Sequence, residues 1–421
     1  MQKEKSTYFP SITNIKVAAD TIKKVSAVTP LDHNVRYSNK YQANIFFKRE
    51  DLQQVRSYKI RGAYNKISSL SKKEAENGVV CASAGNHAQG VALSCKLLKI
   101  KGTIFMPAPT PNQKVEQVKM FGEDYVSIVL EGDTFDDAYH LAITECEKLQ
   151  KTFIHPFNDK KVIEGQATIA LEILEQANKP IDYVFIAVGG GGLAAGLSTV
   201  FKTLSPNTKI IGVEPEGAPS MTVSIKNNKN TTLNKIEKFI DGAAVKRVGD
   251  LTFPICKQNL DTMVTVPEGK VCQTILDLYN RDAIVVEPAG ALSISALDFY
   301  SEEIKDKHVV CVVSGSNNDI TRTSEIKERA LLYANLKHYF IIKFPQRAGA
   351  LKEFVVDILG KNDDITYFQY AKKTNRENGS AVVGIQLKSS NDLEPLIAKM
   401  KQQNFYGDYL NNKPDLFQFL V

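Results

Sequence analysis

The hydrophobic positions between about residue 40 and residue 325 form short apolar runs that alternate with amphipathic stretches of about a dozen residues. Several runs, such as YVFIAV and HVVCVVS, are continuously apolar and rich in β-branched residues, as is typical of strands buried on both faces. Because helical stretches separate them, the pattern predicts an α/β fold with mostly parallel sheets. The predicted strands are residues 44–50, 78–83, 101–107, 124–130, 183–188, 209–215 and 308–314.

The pattern changes after Arg322. The segment TSEIKERALLYANLKH predicts a connecting helix, and the remainder predicts the order β-α-β-β-α-β. Its strands are HYFIIKF, DITYFQYAKK, SAVVGIQLK and DLFQFLV, and the turn-forming TNRENG joins the middle two. This order is that of a ferredoxin-like α+β domain. The predicted divisions are a first domain of residues 1–325, a linker helix of residues 326–337 and a C-terminal domain of residues 338–421.

Composition narrows the function classes. The 421 residues are 43% hydrophobic and 24% charged, as in an ordinary globular protein, and the net charge of +6 comes without a basic block. Nucleic acid is therefore not an expected partner. No signal peptide or membrane-spanning run is present, so we expect no membrane association and a cytoplasmic protein. The cysteines are scattered, without metal-ligand spacing, and are predicted to be reduced thiols: Cys81, Cys95, Cys146, Cys256, Cys272 and Cys311.

One lysine has unusual surroundings. In the segment RSYKIRGAYN, Ser57 is the predicted N-cap of a helix, and Lys59 lies in its first turn. Lys59 is one step off the apolar stripe, beside Gly62 and Ala63, which leaves room above it for a ligand. A solvated surface lysine is the alternative. The predicted buried stripe is Ile60, Ala63, Tyr64, Ile67 and Leu70.

A run of four glycines, Gly189 to Gly192, separates a buried strand from a helix. Glycines there let backbone N–H groups approach an oxyanion at the positive end of the helix, so the loop predicts a phosphate site. No Lys-Ser or Lys-Thr follows, which excludes a P-loop. Two alternatives stay open. One is a tight turn, and the other is the dinucleotide site of an NAD-dependent oxidoreductase, whose fingerprint Gly189, Gly191 and Ala194 match loosely, with Glu214 at the end of the next predicted strand.

Two further loops follow predicted strands. CASAGNHAQG places Ser83, Gly85 and Asn86 at the start of a helix, and VVSGSNND places Ser314 at a strand end. Loops after parallel strands meet at the carboxyl edge of a sheet, where ligands bind. An anion-binding loop together with a candidate reactive lysine predicts pyridoxal 5′-phosphate (PLP), a phosphorylated carbonyl cofactor that a lysine binds covalently.

The motifs also resemble a known family. KREDLQQVRSYKIRGAYNKI, ASAGNHAQG, VGGGGLAAG, VEPAGALS and VVSGSNND occur in the order and spacing of the threonine/serine dehydratase group. These enzymes have the fold type II PLP-dependent catalytic domain, the class of tryptophan synthase β. The resemblance extends from Thr29 to about Arg322. The tail, with FPQRAGALKEF, resembles the single ACT-like regulatory domain of biosynthetic threonine dehydratases.

The resemblance implies residue roles. Lys59 would bind the cofactor and act as the base that removes the substrate Cα proton, and Asn86 would donate to the cofactor 3′-oxygen. Ser314 would face the pyridine nitrogen, where a neutral hydroxyl favours β-elimination over transamination. The implied phosphate site is Gly189, Gly190, Gly191, Gly192 and Leu193. The implied substrate carboxylate site is Ser83, Ala84, Gly85, Asn86 and His87. We expect the regulatory site at Arg347, Ala348 and Gly349, where N–H groups open a helix.

Two positions depart from the related serine racemases. Ala84 stands where those enzymes carry a second serine as the base on the opposite face, which favours a dehydratase. In the segment VEPEGAPS, Glu214 and Ala218 match their cation site, but Ser220 stands where an aspartate is expected. We therefore predict no metal as a cofactor, and cation binding near Glu214 stays open.

The predicted function is threonine ammonia-lyase, which converts L-threonine to 2-oxobutanoate and ammonia in the first committed step of isoleucine biosynthesis. The resemblance implies a homotetramer that isoleucine inhibits through the C-terminal domain, with valine as an opposing effector. The alternatives are an L-serine ammonia-lyase with the same fold, an NAD-dependent oxidoreductase that uses the Gly189 loop, and a non-catalytic amino-acid sensor.

Overall fold

The computed structural model describes residues 8–370 and 378–413. The chain divides into two compact units, Met1–Asp319 and Ile320–Val421. The domain boundaries predicted above, with a separate linker helix, stay a prediction. Each unit has its own hydrophobic core.

The first unit contains two sheets of strands that are mostly buried on both faces. Their strands are β1 (Leu31–His33), β2 (Asn44–Arg49), β3 (Val79–Ala82), β4 (Gly102–Met106), β5 (Val126–Leu130), β6 (Thr152–Phe153), β7 (Tyr183–Ala187), β8 (Lys209–Pro215), β9 (Thr262–Val266) and β10 (His308–Val313).

The strand order is β1-β2-β10-β7-β8-β9 in one sheet and β5-β4-β3-β6 in the other. Neighbouring strands run parallel, except that β1 is antiparallel to β2. The seven predicted strands and the α/β class are confirmed. Strands β1, β6 and β9 were not predicted, because they are short or partly exposed and lack a continuous apolar run.

Capping residues in the sequence mark the N-termini of several helices of this unit. A capping box of Ser71 and Glu74 begins the helix of residues 72–77, and one of Thr134 and Asp137 begins the helix of residues 135–149. No helix in the described ranges is long and apolar enough to cross a membrane. The helices are α1 (Ile12–Ile22), α2 (Val35–Tyr41), α3 (Lys59–Ser68), α4 (Lys72–Asn77), α5 (Asn86–Leu98), α6 (Asn112–Gly122), α7 (Phe135–Leu149), α8 (Lys160–Gln176), α9 (Gly192–Leu204), α10 (Ser220–Lys226), α11 (Thr252–Asn259), α12 (Glu268–Asp282) and α13 (Pro288–Ser295).

The predicted site loops all follow the carboxyl ends of parallel strands. Helix α5 begins four residues after β3, α9 begins at Gly192, the last glycine of the run that follows β7, and Ser314 directly follows β10. Helix α3 begins after the loop that follows β2. These segments therefore lie at the carboxyl ends of parallel strands, where α/β proteins usually bind their ligands.

The second unit begins with a helix and continues with an antiparallel sheet. Its elements are α14 (Thr323–Tyr333), β11 (Lys337–Pro345), α15 (Ala350–Glu353) with a π-helical continuation (Phe354–Ile358), β12 (Asp364–Tyr370), β13 (Asn378–Gln386), α16 (Leu393–Gln402) and β14 (Tyr406–Tyr409). The strand order is β12-β13-β11-β14.

These elements confirm the predicted β-α-β-β-α-β order, with one difference at the end. The fourth described strand is β14, whose sequence YGDY has no apolar run. The strand predicted at residues 415–421 lies outside the described residues, as does most of the predicted TNRENG turn. Helix α14 lies in the segment that was predicted to form a connecting helix, and its Glu328 accepts a hydrogen bond from the Tyr339 hydroxyl at 2.6 Å.

Candidate active site

Lys59 is the first residue of α3, but the predicted cap is wrong. Tyr58 precedes the helix, and no side chain caps it. Ser57 instead forms an antiparallel β-bridge with Gly315, and the Tyr58 N–H donates to the Ser314 carbonyl at 3.2 Å. The Ser57 hydroxyl is buried and has no hydrogen-bond partner among the described residues. Pairing with the segment after β10 therefore displaced the local capping preference and brought Ser314 to the start of α3.

The Lys59 amine has a specific partner. Its Nζ donates to the Pro156 carbonyl at 3.0 Å. Burial lowers the pKa of Lys59 from its ordinary value to about 8, and the nearby Glu287 carboxylate partly opposes this shift. A lysine with such a pKa is substantially neutral at mildly alkaline pH, as a base or an amine nucleophile must be. A solvated surface lysine does not have these properties.

The segment around Pro156 links Lys59 to the glycine loop. His155 Nδ1 accepts hydrogen bonds from the N–H groups of Phe157 at 3.2 Å and Asn158 at 2.8 Å, which closes a turn. Burial lowers the pKa of His155 to about 4, so the ring is a neutral acceptor at pH 7. A Cβ atom on Gly190 would lie 2.3 Å from the Phe157 ring. This position therefore requires glycine because the aromatic ring lies directly against its backbone.

The glycine loop has the features of an anion cradle. Gly191 has φ +90° and is the N-cap of α9, and a Cβ atom there would lie 2.8 Å from Thr252 Oγ1. Within residues 8–370 and 378–413, the N–H groups of Gly190 and Gly191 donate to no protein acceptor. Free backbone donors at a helix N-terminus are suited to a phosphate group.

Asn86, at the start of α5, is held on both sides of its amide. Its Nδ2 donates to Glu287 Oε1 at 2.6 Å, and its Oδ1 accepts from Asn317 Nδ2. The Glu287 N–H in turn donates to the Gly315 carbonyl at 3.2 Å. Burial, with a smaller effect of the Asp241 charge, raises the pKa of Glu287 to about 7. One amide hydrogen of Asn86 stays available for a ligand.

The first four residues of the predicted substrate segment, residues 83–86, are half-buried. Ser83 Oγ accepts from the Gly85 N–H at 3.2 Å, and a Cβ atom on Gly85 would meet no atom within 4 Å. His87 differs, because its ring is buried and its Nε2 lies 2.7 Å from the Ile154 carbonyl oxygen. Burial lowers the pKa of His87 to about 3. The ring therefore packs against the β6 segment, and a role of His87 toward substrate would have to use its backbone N–H.

Ser314 is buried at the end of β10. Its hydroxyl donates to the Ala289 carbonyl at 3.2 Å, which is longer than is usual for an O–H···O hydrogen bond. To donate to a pyridine nitrogen, this hydroxyl would have to rotate away from Ala289. Its role there stays a prediction.

Both carboxylate oxygens of Glu214 accept hydrogen bonds from within the protein. Its carboxylate accepts from the Met221 N–H at 2.6 Å and from the Thr222 N–H and hydroxyl at 2.8 and 2.7 Å. Burial raises the pKa of Glu214 to about 7. A carboxylate used in this way is not free to bind a ribose, which argues against the dinucleotide alternative. Among the described residues, no group of three or more His, Cys, Asp or Glu side chains is placed to hold a metal ion.

The predicted regulatory segment lies in the loop before α15. Arg347, Ala348 and Gly349 are exposed, and Gly349 has φ +86°. The Arg347 guanidinium forms an ion pair with Glu353. An effector carboxylate would therefore have to use the backbone N–H groups or compete with Glu353 for Arg347.

Several contacts of the site were not predicted from the sequence. Glu287 lies in the motif VEPAGALS, where an acidic residue before an apolar helix was a usable signal. The Pro156 carbonyl gives no sequence signal at all, because every residue carries a carbonyl group. Thr252 and Phe157 contact the glycine loop only because of the fold.

The chemistry of these residues fits PLP. A lysine of lowered pKa, a cradle of free N–H groups and open space at Gly85 are the features that a lysine-bound, phosphorylated cofactor needs. The family of pyridoxal-phosphate dependent enzymes matches residues 22–315, and the C-terminal regulatory domain of threonine dehydratase matches residues 328–420. The fold and the site thus define a PLP-dependent enzyme of fold type II with a regulatory domain.

Named relatives define the family more closely. The chain is 54% identical to the biosynthetic L-threonine dehydratase IlvA of Halalkalibacterium halodurans over 410 residues, which are 97% of this chain and 99% of the relative. The processed threonine deaminase isoform 2 of Solanum lycopersicum is similar in structure, with a TM-score of 0.72 and 41% identity over 77% of this chain and 90% of that one. Maize serine racemase matches with a TM-score of 0.71 and 30% identity over 77% of this chain and 99% of that one. The chain belongs to the biosynthetic threonine dehydratase family.

Proposed function

We propose that this chain is a threonine ammonia-lyase that converts L-threonine to 2-oxobutanoate and ammonia with PLP as its cofactor. The proposal is supported by 54% identity to a biosynthetic threonine dehydratase along nearly the whole of both chains. The single structural observation that carries it is the Lys59 amine, whose pKa is lowered to about 8 and whose Nζ lies 3.0 Å from the Pro156 carbonyl oxygen. The serine-lyase alternative is not favoured. The hydrogen bonds that the Glu214 carboxylate accepts within the protein argue against the NAD-dependent alternative.

The chain offers a set of residues that would hold the cofactor. Lys59 would form the covalent bond, the N–H groups of the glycine run would bind the phosphate, and Asn86 would donate to the 3′-oxygen. The neutral Ser314 hydroxyl would lie at the pyridine nitrogen. When bound, PLP supplies an electron sink next to the substrate α-carbon.

Lys59 would then act as the general base. Its neutral amine would take the proton from the substrate Cα, and the Pro156 carbonyl would orient Nζ through one of its hydrogens. The proton taken up by Lys59 could then be given to the leaving β-hydroxyl, so that it departs as water. Hydrolysis of the free product by one water would release ammonia and 2-oxobutanoate. The Glu287 carboxylate stabilises the protonated form of Lys59 after the transfer.

Substrate choice would depend on the segment from Ser83 to Asn86, whose N–H groups would bind the amino-acid carboxylate. Ala84 carries no hydroxyl that could return a proton to the opposite face of Cα. We therefore propose elimination without racemisation, with threonine preferred over serine. Isoleucine inhibition and opposition by valine through Arg347, Ala348 and Gly349 are part of the proposal, as are a homotetramer and a place in isoleucine biosynthesis.

The experiment that tests the proposal uses the full chain with PLP. Borohydride reduction should label a peptide that contains Lys59, and Lys59→Ala should lose the label and at least about a thousandfold of kcat. Lys72→Ala, at an exposed lysine in α4, is the matched control and should keep both. Labelling of another lysine, a larger kcat/KM for serine than for threonine, or D-serine among the products would contradict the proposal.

A further inference from the structure

Thr252 contacts the glycine loop through the Gly190 carbonyl, although it lies outside every motif recognised in the sequence. It is the first residue of α11 and is fully buried. Its hydroxyl donates to the Gly190 carbonyl at 2.6 Å and lies 3.2 Å from the Gly249 carbonyl. The Gly249 N–H also donates to the Gly190 carbonyl, at 3.1 Å. One carbonyl of the loop thus accepts two hydrogen bonds.

These two bonds fix the orientation of one peptide group. In a trans peptide, the carbonyl of residue 190 and the N–H of residue 191 point in opposite directions. Because Thr252 and Gly249 hold the Gly190 carbonyl, the Gly191 N–H must face the other side of the loop. That N–H donates to no acceptor in the described part of the protein. The hydrogen bonds to the Gly190 carbonyl therefore direct the free Gly191 N–H toward the opposite side of the loop.

A run of four glycines needs such a restraint more than other loops do. Glycine has the largest backbone freedom of all residues, so an unrestrained glycine loop loses much entropy when a ligand orders it. Further contacts hold the same region. Cys256 Sγ lies 3.7 Å from the Gly191 carbonyl oxygen, and Asn158 Oδ1 accepts from the Leu251 N–H at 2.8 Å. The start of α11 is thus tied both to the glycine loop and to the segment that follows Pro156.

We infer that Thr252 is a positioning residue for phosphate binding, whose hydroxyl holds the Gly190 peptide so that the Gly191 N–H is preset for a phosphate oxygen. The inference rests on the proposed role of the glycine loop as the phosphate site. Thr252 itself does not touch the ligand. It affects affinity for the phosphate group and not for the rest of the cofactor.

The test compares two ligands that differ only in the phosphate. The full-length chain is freed of cofactor and titrated with PLP and with pyridoxal, and binding is followed by absorbance. Thr252→Val keeps the shape of the side chain, and Thr252→Ala removes the hydroxyl without pressing a methyl group on the Gly190 carbonyl. Both should bind PLP about tenfold more weakly and bind pyridoxal as the wild type does. Thr252→Ser keeps the hydroxyl and should stay within about twofold of wild type for both ligands.

Each other result has a defined meaning. Unchanged PLP affinity in Thr252→Ala, an equal loss for both ligands, or a failure of Thr252→Ser to restore binding would overturn the inference. Should Thr252→Val not fold, as judged by its circular dichroism, the Ala and Ser variants carry the comparison. If the wild-type chain binds pyridoxal as tightly as PLP, the glycine loop is not a phosphate site, and the proposed function fails together with the inference. If the wild type binds PLP more tightly and only the Thr252 variants give the wrong result, the inference alone fails.

Discussion

At the scale of single residues, the site depends on two ionisable groups whose environments shift their pKa values toward each other. Burial lowers the pKa of Lys59 to about 8 and raises that of Glu287 to about 7. Each shift disfavours the charged form, as desolvation does, and the carboxylate of Glu287 favours the protonated amine. Proton affinity at Lys59 is therefore set jointly by burial and by a residue that is distant in sequence.

Replacing Glu287 by Gln should lower the pKa of Lys59 below its wild-type value of about 8, because the negative charge that favours the protonated amine is removed. The amide can still accept from Asn86, so the geometry of the site is kept. The measurement is the pH dependence of acylation of Lys59 in the full chain freed of cofactor. Exposed lysines in the same sample titrate near their ordinary pKa of about 10.4 and provide the reference.

The matched control is Glu216→Gln, at an exposed carboxylate, which should leave the Lys59 midpoint unchanged. A midpoint in Glu287→Gln equal to or above that of the wild type would show that this charge does not act on Lys59. A wild-type midpoint near 10 would contradict the lowered pKa itself.

At the scale of elements, helix α3 is held between two helices through glycine contacts. On one side, a Cβ atom on Gly90 of α5 would lie 3.1 Å from the Lys59 carbonyl carbon. On the other side, a Cβ atom on Gly165 of α8 would lie 2.7 Å from Gly62 Cα and 2.6 Å from the Arg61 carbonyl oxygen. Both contacts are with backbone, which cannot rotate aside as a side chain can. The position of Lys59 is thus set by close packing of three helices.

Gly165→Ala should therefore force α3 and α8 apart. Overpacking of this kind costs about 1–3 kcal/mol of the free energy of unfolding. We also expect kcat to fall by about tenfold or more, since Lys59 at the start of α3 would shift relative to its substrate. Urea unfolding and steady-state kinetics measure the two effects.

Glu175→Ala, at an exposed position of the same helix, should change the free energy of unfolding by less than about 0.5 kcal/mol. Wild-type stability and kcat in Gly165→Ala would mean that α3 and α8 can separate without cost, and the packing argument would then be wrong.

At the scale of the whole molecule, all the proposed catalytic residues lie in the unit that ends at Asp319, and the family of the second unit is a regulatory one. An effector bound to the second unit can change activity only by favouring one state of the first, and such coupling is typically worth about 1–3 kcal/mol. Catalysis and its regulation should therefore be separable by cutting the chain between the units.

A chain of residues 1–319 should bind PLP and turn over threonine, yet respond to isoleucine by less than twofold, compared with about fivefold or more for the full-length chain. The assay is threonine turnover against isoleucine concentration for both proteins under the same conditions. Full inhibition of the shortened chain by isoleucine would place the effector site in the first unit, outside the loop from Arg347 to Gly349.

The sequence by itself determined the features that depend on neighbours along the chain. The buried strands follow from continuous apolar runs such as YVFIAV, because a parallel strand buried on both faces needs such residues. The glycine run between a strand and a helix predicted an anion site for a local reason, namely that only glycine lets the backbone approach an oxyanion. Lys59 was predicted to be a reactive lysine from its neighbours along the helix, which is also a local signal. Residue roles beyond these came from the family resemblance and not from physical pattern.

The tertiary structure decided what depends on partners distant in sequence. Ser57 has the local pattern of a helix cap but pairs with Gly315, because a β-bridge to another segment outweighs a single capping bond. The Pro156 carbonyl beside Lys59 and the hydroxyl of Thr252 on Gly190 are likewise contacts between distant segments. Hydrophobic periodicity specifies which face of an element is buried but not which element covers it. The partner of each polar group in the site was therefore decided only when the two sheets and their helices packed together.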